Sequence, residues 1–274
     1  MRPPVQLLLA TVLGLTFTGC ALFSRPIAVS KLGPDRILTD EEVAKAQKLV
    51  EDSDKLWQGR ADPANVERAL ETLKESLKIA PHNSQALWRA ARACFALAER
   101  AGNEKDKKRQ LELADQGIDY AKRAIFVDTA SKGGHYYLAL NYGMRADALP
   151  SQGLAMVKPM LKELKIVDDL DSSYDYGGPD RVRGLIYLNA PPWPTSVGDI
   201  EEAIDLLEDA AEEHPKYPEN HLALGEAYLK ARKYNDARKC FQRVLDAQPA
   251  PDWAAELPGW QKRARELMAK LPKK

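Results

Sequence analysis

One residue pattern occurs twice, 34 residues apart, near the end of this chain. Its members are Ala203, Leu207, Ala210 and Pro215, followed by Ala237, Phe241, Val244 and Pro249. Positions i, i+4 and i+7 share one face of a helix, where a small residue lets a second helix approach closely. Proline ends a helix because it lacks an amide hydrogen and disfavours helical geometry in the residue before it. The spacing therefore predicts repeated, closely packed helices.

The helix before the second copy carries Leu224-Gly225-x-x-Tyr228. The order Leu-Gly-x-x-Tyr, Ala-x3-Phe and Pro, at a period of 34, resembles the tetratricopeptide repeat (TPR). This resemblance implies an all-α solenoid of stacked helix pairs, and it implies no particular function.

Weaker copies of the pattern extend toward the N-terminus. Their diagnostic residues are Ala69, Leu73, Leu77 and Pro81 in unit one, Ala90, Ala91 and Cys94 in unit two, His135, Leu138, Ala139 and Tyr142 in unit three, and Gly184 and Tyr187 in unit four. A last amphipathic segment, with Trp260 and Ala264 on its apolar face, would close the end of a solenoid. The sequence predicts a TPR-like solenoid domain over residues 39–274, with about five helix pairs and a C-terminal capping helix.

The N-terminus has the features of a bacterial lipoprotein signal. Arg2 precedes a mostly apolar stretch that is too short for a comfortable transmembrane helix. The sequence from Phe17 to Cys20 resembles the lipobox, which implies a signal peptide over residues 1–19, cleavage before Cys20, and lipidation of that cysteine. Residues 20–38 are then a lipidated tether. The alternative is an ordinary signal peptide with an incidental cysteine.

Lipidation at Cys20 predicts a protein anchored in the bacterial cell envelope. Ala21 follows the cysteine where an Asp would favour the inner membrane, so the outer membrane, facing the periplasm, is the expected location. Cys94 and Cys240 remain, and their bulky apolar neighbours favour buried packing over a disulfide.

Composition and motifs exclude several classes of function. Forty basic residues balance forty acidic ones, which argues against nucleic-acid binding through net charge. The chain has no P-loop, no nucleophile-elbow motif and no zinc-protease motif, so we predict no enzyme, no cofactor and no metal. The four histidines are dispersed, and His135 and His221 hold equivalent repeat positions where packing or capping is favoured over metal binding.

A second resemblance lies in the middle of the chain. Residues 174–187, with the turn Gly177-Gly178-Pro179-x-Arg181, and the proline-rich stretch 190–199 resemble the T component of TRAP transporters. Members of that family are TPR-like lipoproteins that partner a periplasmic substrate-binding protein. The resemblance implies a ligand-lined central channel and a trimer.

Two surfaces are candidate sites for binding. The first helix of each pair lines the concave side of such a solenoid, and the inward positions are Trp88, Arg92, Phe95, Tyr136, Leu140, Met144, Arg181, Leu185 and Leu188. This surface suits a small amphipathic ligand or peptide whose carboxylate meets an arginine. The alternative is a tightly wound solenoid that fills its own concave face.

The second surface is the loop with Pro192, Trp193 and Pro194. Either Trp193 contacts a partner or another protomer, because aromatic anchors dominate interfaces, or it folds back into the core.

Two functions follow from the sequence. One is an accessory protein of TRAP-type solute transport that binds a periplasmic or envelope protein partner, and the other is a scaffold for an envelope assembly machine.

Overall fold

The computed structural model describes residues 37–272, and these residues form eleven α-helices with no β-strand. The helices are α1 Asp40–Gln58, α2 Pro63–Ile79, α3 Ser84–Asn103, α4 Lys107–Val127, α5 Lys132–Ala148, α6 Gly153–Leu170, α7 Gly178–Asn189, α8 Ile200–Glu213, α9 Pro218–Lys230, α10 Tyr234–Asp246 and α11 Leu257–Met268. Helices α1 to α10 form five consecutive packed pairs, and α11 packs on α9 and α10. The predicted five pairs and capping helix are confirmed.

The predicted register is also confirmed. Every Ala, Leu, Phe and Val of the twofold pattern is buried, from Ala203 to Val244. At Gly225 an added Cβ would lie 2.5 Å from a ring carbon of Phe241, and at Gly184 it would lie 2.7 Å from Leu207. Glycine is therefore needed at these two positions because the facing helix leaves no room for a side chain.

Polar residues before the helices explain where the helices begin. Thr39 accepts a hydrogen bond from the backbone amide of Glu42, and the Glu42 carboxylate accepts one from the amide of Thr39. Asp62, Asn83, Asp106, Ser131 and Asp199 cap five later helices through their side chains. Such caps satisfy amides that have no partner within the helix.

The apolar interior divides into one large and one smaller region. The large region runs from α1 to α10, whereas the smaller one centres on Phe241, Trp260 and Leu267 at the C-terminal end. Cys94 and Cys240 are buried free thiols, as the sequence predicts, and burial raises the pKa of Cys94 to about 12.

The repeat-equivalent histidines share one equivalent contact, made by the ring Nε2. The ring Nε2 of His135 lies 3.0 Å from the carbonyl oxygen of Thr129, and that of His221 lies 2.8 Å from the carbonyl oxygen of Pro215. In both units this oxygen belongs to the turn before the helix, six residues earlier. Both histidines are buried, so packing and capping account for them.

The two ends of the solenoid are in direct contact. Arg60, in the turn after α1, donates to both carboxylate oxygens of Glu256, at 2.7 and 2.9 Å, and to the backbone carbonyl of Asp252. Glu256 immediately precedes α11. The first unit and the capping segment therefore meet across the concave side.

None of the helices between residues 37 and 272 is long and apolar enough to cross a membrane.

Candidate functional site

A cavity of about 220 Å³ lies where the first helices of the pairs converge with α11. Six of the nine predicted concave residues line it, namely Arg92, Phe95, Tyr136, Leu140, Arg181 and Leu185. All of these except Arg92 are more than nine-tenths buried. The tight winding therefore fills most of the concave face with the protein's own side chains and leaves a small chamber instead of an open groove.

The other three predicted residues lie outside the chamber wall. Met144 and Leu188 are buried in the large core. Trp88 stacks on Tyr137 with 6.2 Å between ring centroids, and it occupies the space over Gly133, where an added Cβ would lie 2.6 Å from the indole. These side chains support the cavity through packing and are not exposed to it.

Arg181 is almost completely enclosed, with 3% of its side chain exposed. Its guanidinium donates to the Asp175 carboxylate at 2.6 Å, to the side-chain oxygen of Asn220 at 2.9 Å and to the backbone carbonyl of Asp175 at 3.1 Å. Its Nε also lies 3.3 Å from the Glu219 carboxylate. The expectation that Arg181 meets the carboxylate of a ligand is therefore not supported, because residues of the same chain already saturate its donors.

A left-handed turn presents these partners to Arg181. Asp175, Tyr176 and Gly177 have φ angles of 52°, 57° and 73°, respectively. Such backbone is uncommon for residues other than glycine and persists where surrounding contacts hold it. Here the carbonyls of Asp175 and Tyr176 both accept from Arg181, so the Gly177-Gly178-Pro179 turn is organised around one guanidinium.

Arg92 is also engaged within the chain. It donates to Asp54 at 3.2 Å, and its guanidinium carbon lies 4.0 Å from the ring centroid of Trp57 and 5.2 Å from that of Trp88. Cation–π contacts and the ion pair hold it against the wall of the cavity. Burial lowers its pKa, and the nearby Tyr137 and Asp54 oppose that effect.

Several lining residues are absent from the sequence prediction. They are Trp57, Arg60, Ala96, Glu99, Tyr137, Asp175, Val182, Tyr217, Glu219, Asp252, Glu256 and Trp260. Glu99 could have been found, because Trp88, Arg92, Phe95 and Glu99 follow the i, i+4, i+7, i+11 spacing of one helix face. Asp252 and Glu256, in the linker before α11, could not have been predicted, since no local pattern indicates that this linker returns to unit one.

Buried carboxylates dominate the electrostatics of the chamber. Burial raises the pKa of Glu219 to about 7, and Arg181 opposes that shift. Burial, reinforced by the carboxylates of Glu219 and Glu256, raises the pKa of Glu99 to about 8. Within residues 37–272, no three metal-ligating side chains lie close enough together to hold a metal ion.

A second cavity, of about 330 Å³, adjoins the first. It lies between α1, α2, α3 and the start of α11, and Val66, Leu97 and Ala255 contribute apolar surface to it. Trp57, Arg60, Glu99, Glu256 and Trp260 line both cavities. We call the smaller space the chamber and the larger one the outer groove.

The proline-rich loop of unit four is the second candidate surface. It connects α7 to α8, and the backbone amides of Gly198 and Asp199 donate to the carbonyls of Pro191 and Tyr187. Trp193 at its tip is 84% exposed, whereas Val197 packs against the core. The loop is therefore anchored at its base and presents the indole to solvent, which excludes the alternative in which Trp193 is a core residue.

Comparisons with known proteins agree with this architecture. Residues 196–256 match the family model described as Tetratricopeptide repeat, and residues 49–153 match the model described as Regulator of microtubule dynamics protein 1-3. No curated protein matches the chain.

Solved structures with a similar fold include TTC0263, a thermophilic TPR protein of Thermus thermophilus, with a TM-score of 0.61, 18% identity, and coverage of 82% of this chain and 99% of that one. They also include pilF of Pseudomonas aeruginosa, with a TM-score of 0.54, 14% identity, and coverage of 84% and 90%. A third is PilW, described as a widely conserved type IV pilus biogenesis factor, with a TM-score of 0.50, 14% identity, and coverage of 85% and 92%. From its repeats, its helix pairs and these matches, the chain has the all-α solenoid fold of the tetratricopeptide-repeat proteins.

Proposed function

We propose that this chain is a lipid-anchored binding module of the bacterial envelope that engages a protein partner through the loop at Trp193. TPR solenoids generally act as scaffolds for protein interactions, which is the coarser function that the fold supports. The observation that carries the proposal is the 84% exposure of Trp193 on a loop whose base is fixed by hydrogen bonds. Large aromatic side chains held rigidly at a surface lose little entropy on binding and commonly anchor interfaces.

The TRAP T component is the more specific form of this proposal. The segment that resembles this family contains both the loop whose base is fixed by hydrogen bonds and Arg181 with the turn that it stabilises. The resemblance therefore covers two ordered features of the structure. In this reading the partner is a periplasmic substrate-binding protein, and the protein itself is the trimer that the resemblance implies. The test is co-purification from detergent-solubilised membranes: recovery of a binding protein or a TRAP permease with this protein would support the TRAP proposal.

A scaffold for envelope assembly is the second candidate. One of the similar folds, PilW, belongs to a protein described as a type IV pilus biogenesis factor, and this supports a role for such solenoids in assembly machines. Co-purification of components of an assembly machine, without any transport protein, favours this candidate over the first.

Replacing Trp193 by alanine should abolish capture of the partner while leaving the melting temperature within about 1 °C of the wild type, because a solvent-exposed side chain contributes little to folding. The measurement is affinity purification of the tagged full-length protein from solubilised membranes, with quantification of the bound proteins. Phe126→Ala is the matched control, since Phe126 is another exposed aromatic residue, on α4. Equal capture by Trp193→Ala and the wild type contradicts the proposed contact.

Membrane attachment is proposed to depend on Cys20, which lies outside the described residues, as do the signal peptide and nearly all of the tether. Cys20→Ala should accumulate as an unprocessed precursor that radioactive palmitate does not label, because the thiol that accepts the lipid is gone. Several acyl chains are needed for firm anchoring, so even partial acylation should weaken membrane binding. Equal labelling of the wild type and the variant means that lipid is attached elsewhere.

A further inference from the structure

Glu99 is the one charged residue of the chamber wall that has no ion-pair or hydrogen-bond partner among the described residues. Arg60 pairs with Glu256, Arg92 with Asp54, and Arg181 with both Asp175 and Glu219. The remaining charged residue of the wall, Asp252, accepts a hydrogen bond from the Tyr176 hydroxyl. Among residues 37–272, every cation of the wall is therefore paired, and the Glu99 carboxyl group is left without a partner.

The charges of the wall favour a cation over an anion. Five carboxylates, those of Glu99, Asp175, Glu219, Asp252 and Glu256, face three guanidiniums, those of Arg60, Arg92 and Arg181. An anionic ligand would have to compete with carboxylates that already hold the arginines. A cation would instead find the carboxyl group of Glu99 in a poorly solvated site, where its ionised form would attract the cation more strongly than in water.

The shape of the site indicates an organic cation. No three metal-ligating groups come together within residues 37–272, so the carboxylates do not form a chelating set. Phe95, Tyr137 and Trp260 line the same cavity as Glu99, and aromatic surface attracts ammonium groups. A dry cavity of about 150 Å³ admits benzene, so a chamber of about 220 Å³ holds a slightly larger molecule.

A buried donor lies in the same wall. Trp260 is 2% exposed, and its Nε1–H has no acceptor in the described part of the chain. Most buried indole N–H groups have a partner, so an oxygen on the ligand would supply the missing acceptor once the ring shifts and opens its covered Nε1–H to the chamber. We propose that the chamber binds a small organic ammonium ion that carries an oxygen, of the choline type, with its positive charge against the Glu99 carboxylate.

The titration of Glu99 gives this proposal a pH dependence. Burial, followed by the carboxylates of Glu219 and Glu256, raises the pKa of Glu99 to about 8, so the empty chamber holds Glu99 mainly protonated at neutral pH. The other charged groups of the chamber wall are Arg60, Arg92, Arg181, Asp175 and Asp252, and Arg100 and Glu104 line the outer groove together with Glu99. A bound cation favours the ionised form, so binding releases a proton and strengthens as the pH rises toward 8.

Calorimetric titration of the full-length protein in detergent tests the proposal, with choline as the probe because its charge does not titrate. The matched neutral ligand is 3,3-dimethyl-1-butanol, in which carbon replaces the nitrogen. We expect choline to bind and the alcohol to bind at least about tenfold more weakly, with choline affinity rising from about pH 6 to about pH 8. The proton released should appear as a dependence of the observed heat on the buffer's ionisation enthalpy.

Glu99→Gln should weaken choline binding at least about tenfold and reduce the pH dependence to the part that Glu219 contributes, while Glu67→Gln, an exposed control on α2, should leave both unchanged. Glutamine keeps the shape of the protonated glutamic acid, and a melting curve verifies that the variant is folded. The proposal is overturned if choline at about 10 mM gives no binding heat, or if choline and its neutral analogue bind alike. Equal choline binding by the Glu99→Gln variant and the wild type also overturns it. None of these outcomes bears on Trp193 and its partner.

Discussion

Arg181→Ala should destabilise the protein by about 3–5 kcal/mol, because it leaves two buried or half-buried carboxylates without their cation. The carboxylates are those of Asp175 and Glu219, at 2.6 and 3.3 Å from the guanidinium. Asn220 and two backbone carbonyls of the left-handed turn lose their donor in the same step. The sequence alone gives the opposite expectation, a ligand-binding arginine whose loss leaves the fold intact.

The stability lost in the Arg181→Ala variant should depend on pH. Burial already raises the pKa of Glu219 to about 7, and Arg181 holds it below a still higher value. In the variant Glu219 takes up a proton more readily, so the destabilisation should be largest above pH 7 and smaller in mild acid. Urea unfolding at several pH values measures this effect.

Arg183→Ala is the matched control for this experiment. Arg183 lies on the same helix and pairs with Asp168 and Asp180, but 18% of its side chain is exposed. Its replacement by alanine should lower the free energy of unfolding clearly less than replacement of Arg181 does. If the two variants differ by less than about 0.5 kcal/mol, the network around Arg181 does not hold the turn.

Trp260→Ala should cost about 3–5 kcal/mol, as large-to-small changes in a packed core do. Trp260 is the largest fully buried side chain of the described residues, and it packs edge-on against Tyr217 with 5.5 Å between ring centroids. It belongs to the smaller, C-terminal part of the core together with Phe241 and Leu267. The damage should therefore be concentrated in α9, α10 and α11.

Hydrogen exchange read by mass spectrometry measures where protection is lost. In the Trp260→Ala variant, peptides of α9 to α11 should exchange faster while those of α3 to α6 keep their protection, since units of a solenoid contact mainly their neighbours. Trp253→Ala is the control, because Trp253 is half-buried at the edge of the same aromatic group. A uniform rise in exchange along the chain would mean that the two core regions unfold as one.

The helix pairs were predictable because their contacts are local and repeated. Ala203 and Ala237 mark close approaches that recur at a fixed period, and the same spacing aligns His135 with His221. The inward faces followed from helical spacing, and six of the nine predicted residues do line the chamber. These features depend on neighbours within one or two units of the repeat.

The chemistry of the chamber was not predictable because it depends on distant pairings. Arg181 looks available in the sequence, but Asp175 and Glu219 reach it from a turn and from another unit. Glu256 meets Arg60 across 196 positions of the chain. Whether a charge is paired is a property of the assembled fold, and for this reason the ligand that we propose has the opposite charge to the ligand that the sequence predicts.

The contact between Arg60 and Glu256 also constrains how this protein can change during evolution. An array with two free ends can gain or lose a unit by duplication or deletion, because each unit contacts mainly its neighbours. Here an added or deleted unit would carry Glu256 away from Arg60 and separate the walls shared by the chamber and the outer groove. We therefore expect the number of repeats to stay constant, and changes in length to occur in connections that leave this contact intact, such as the ten-residue segment around Trp193.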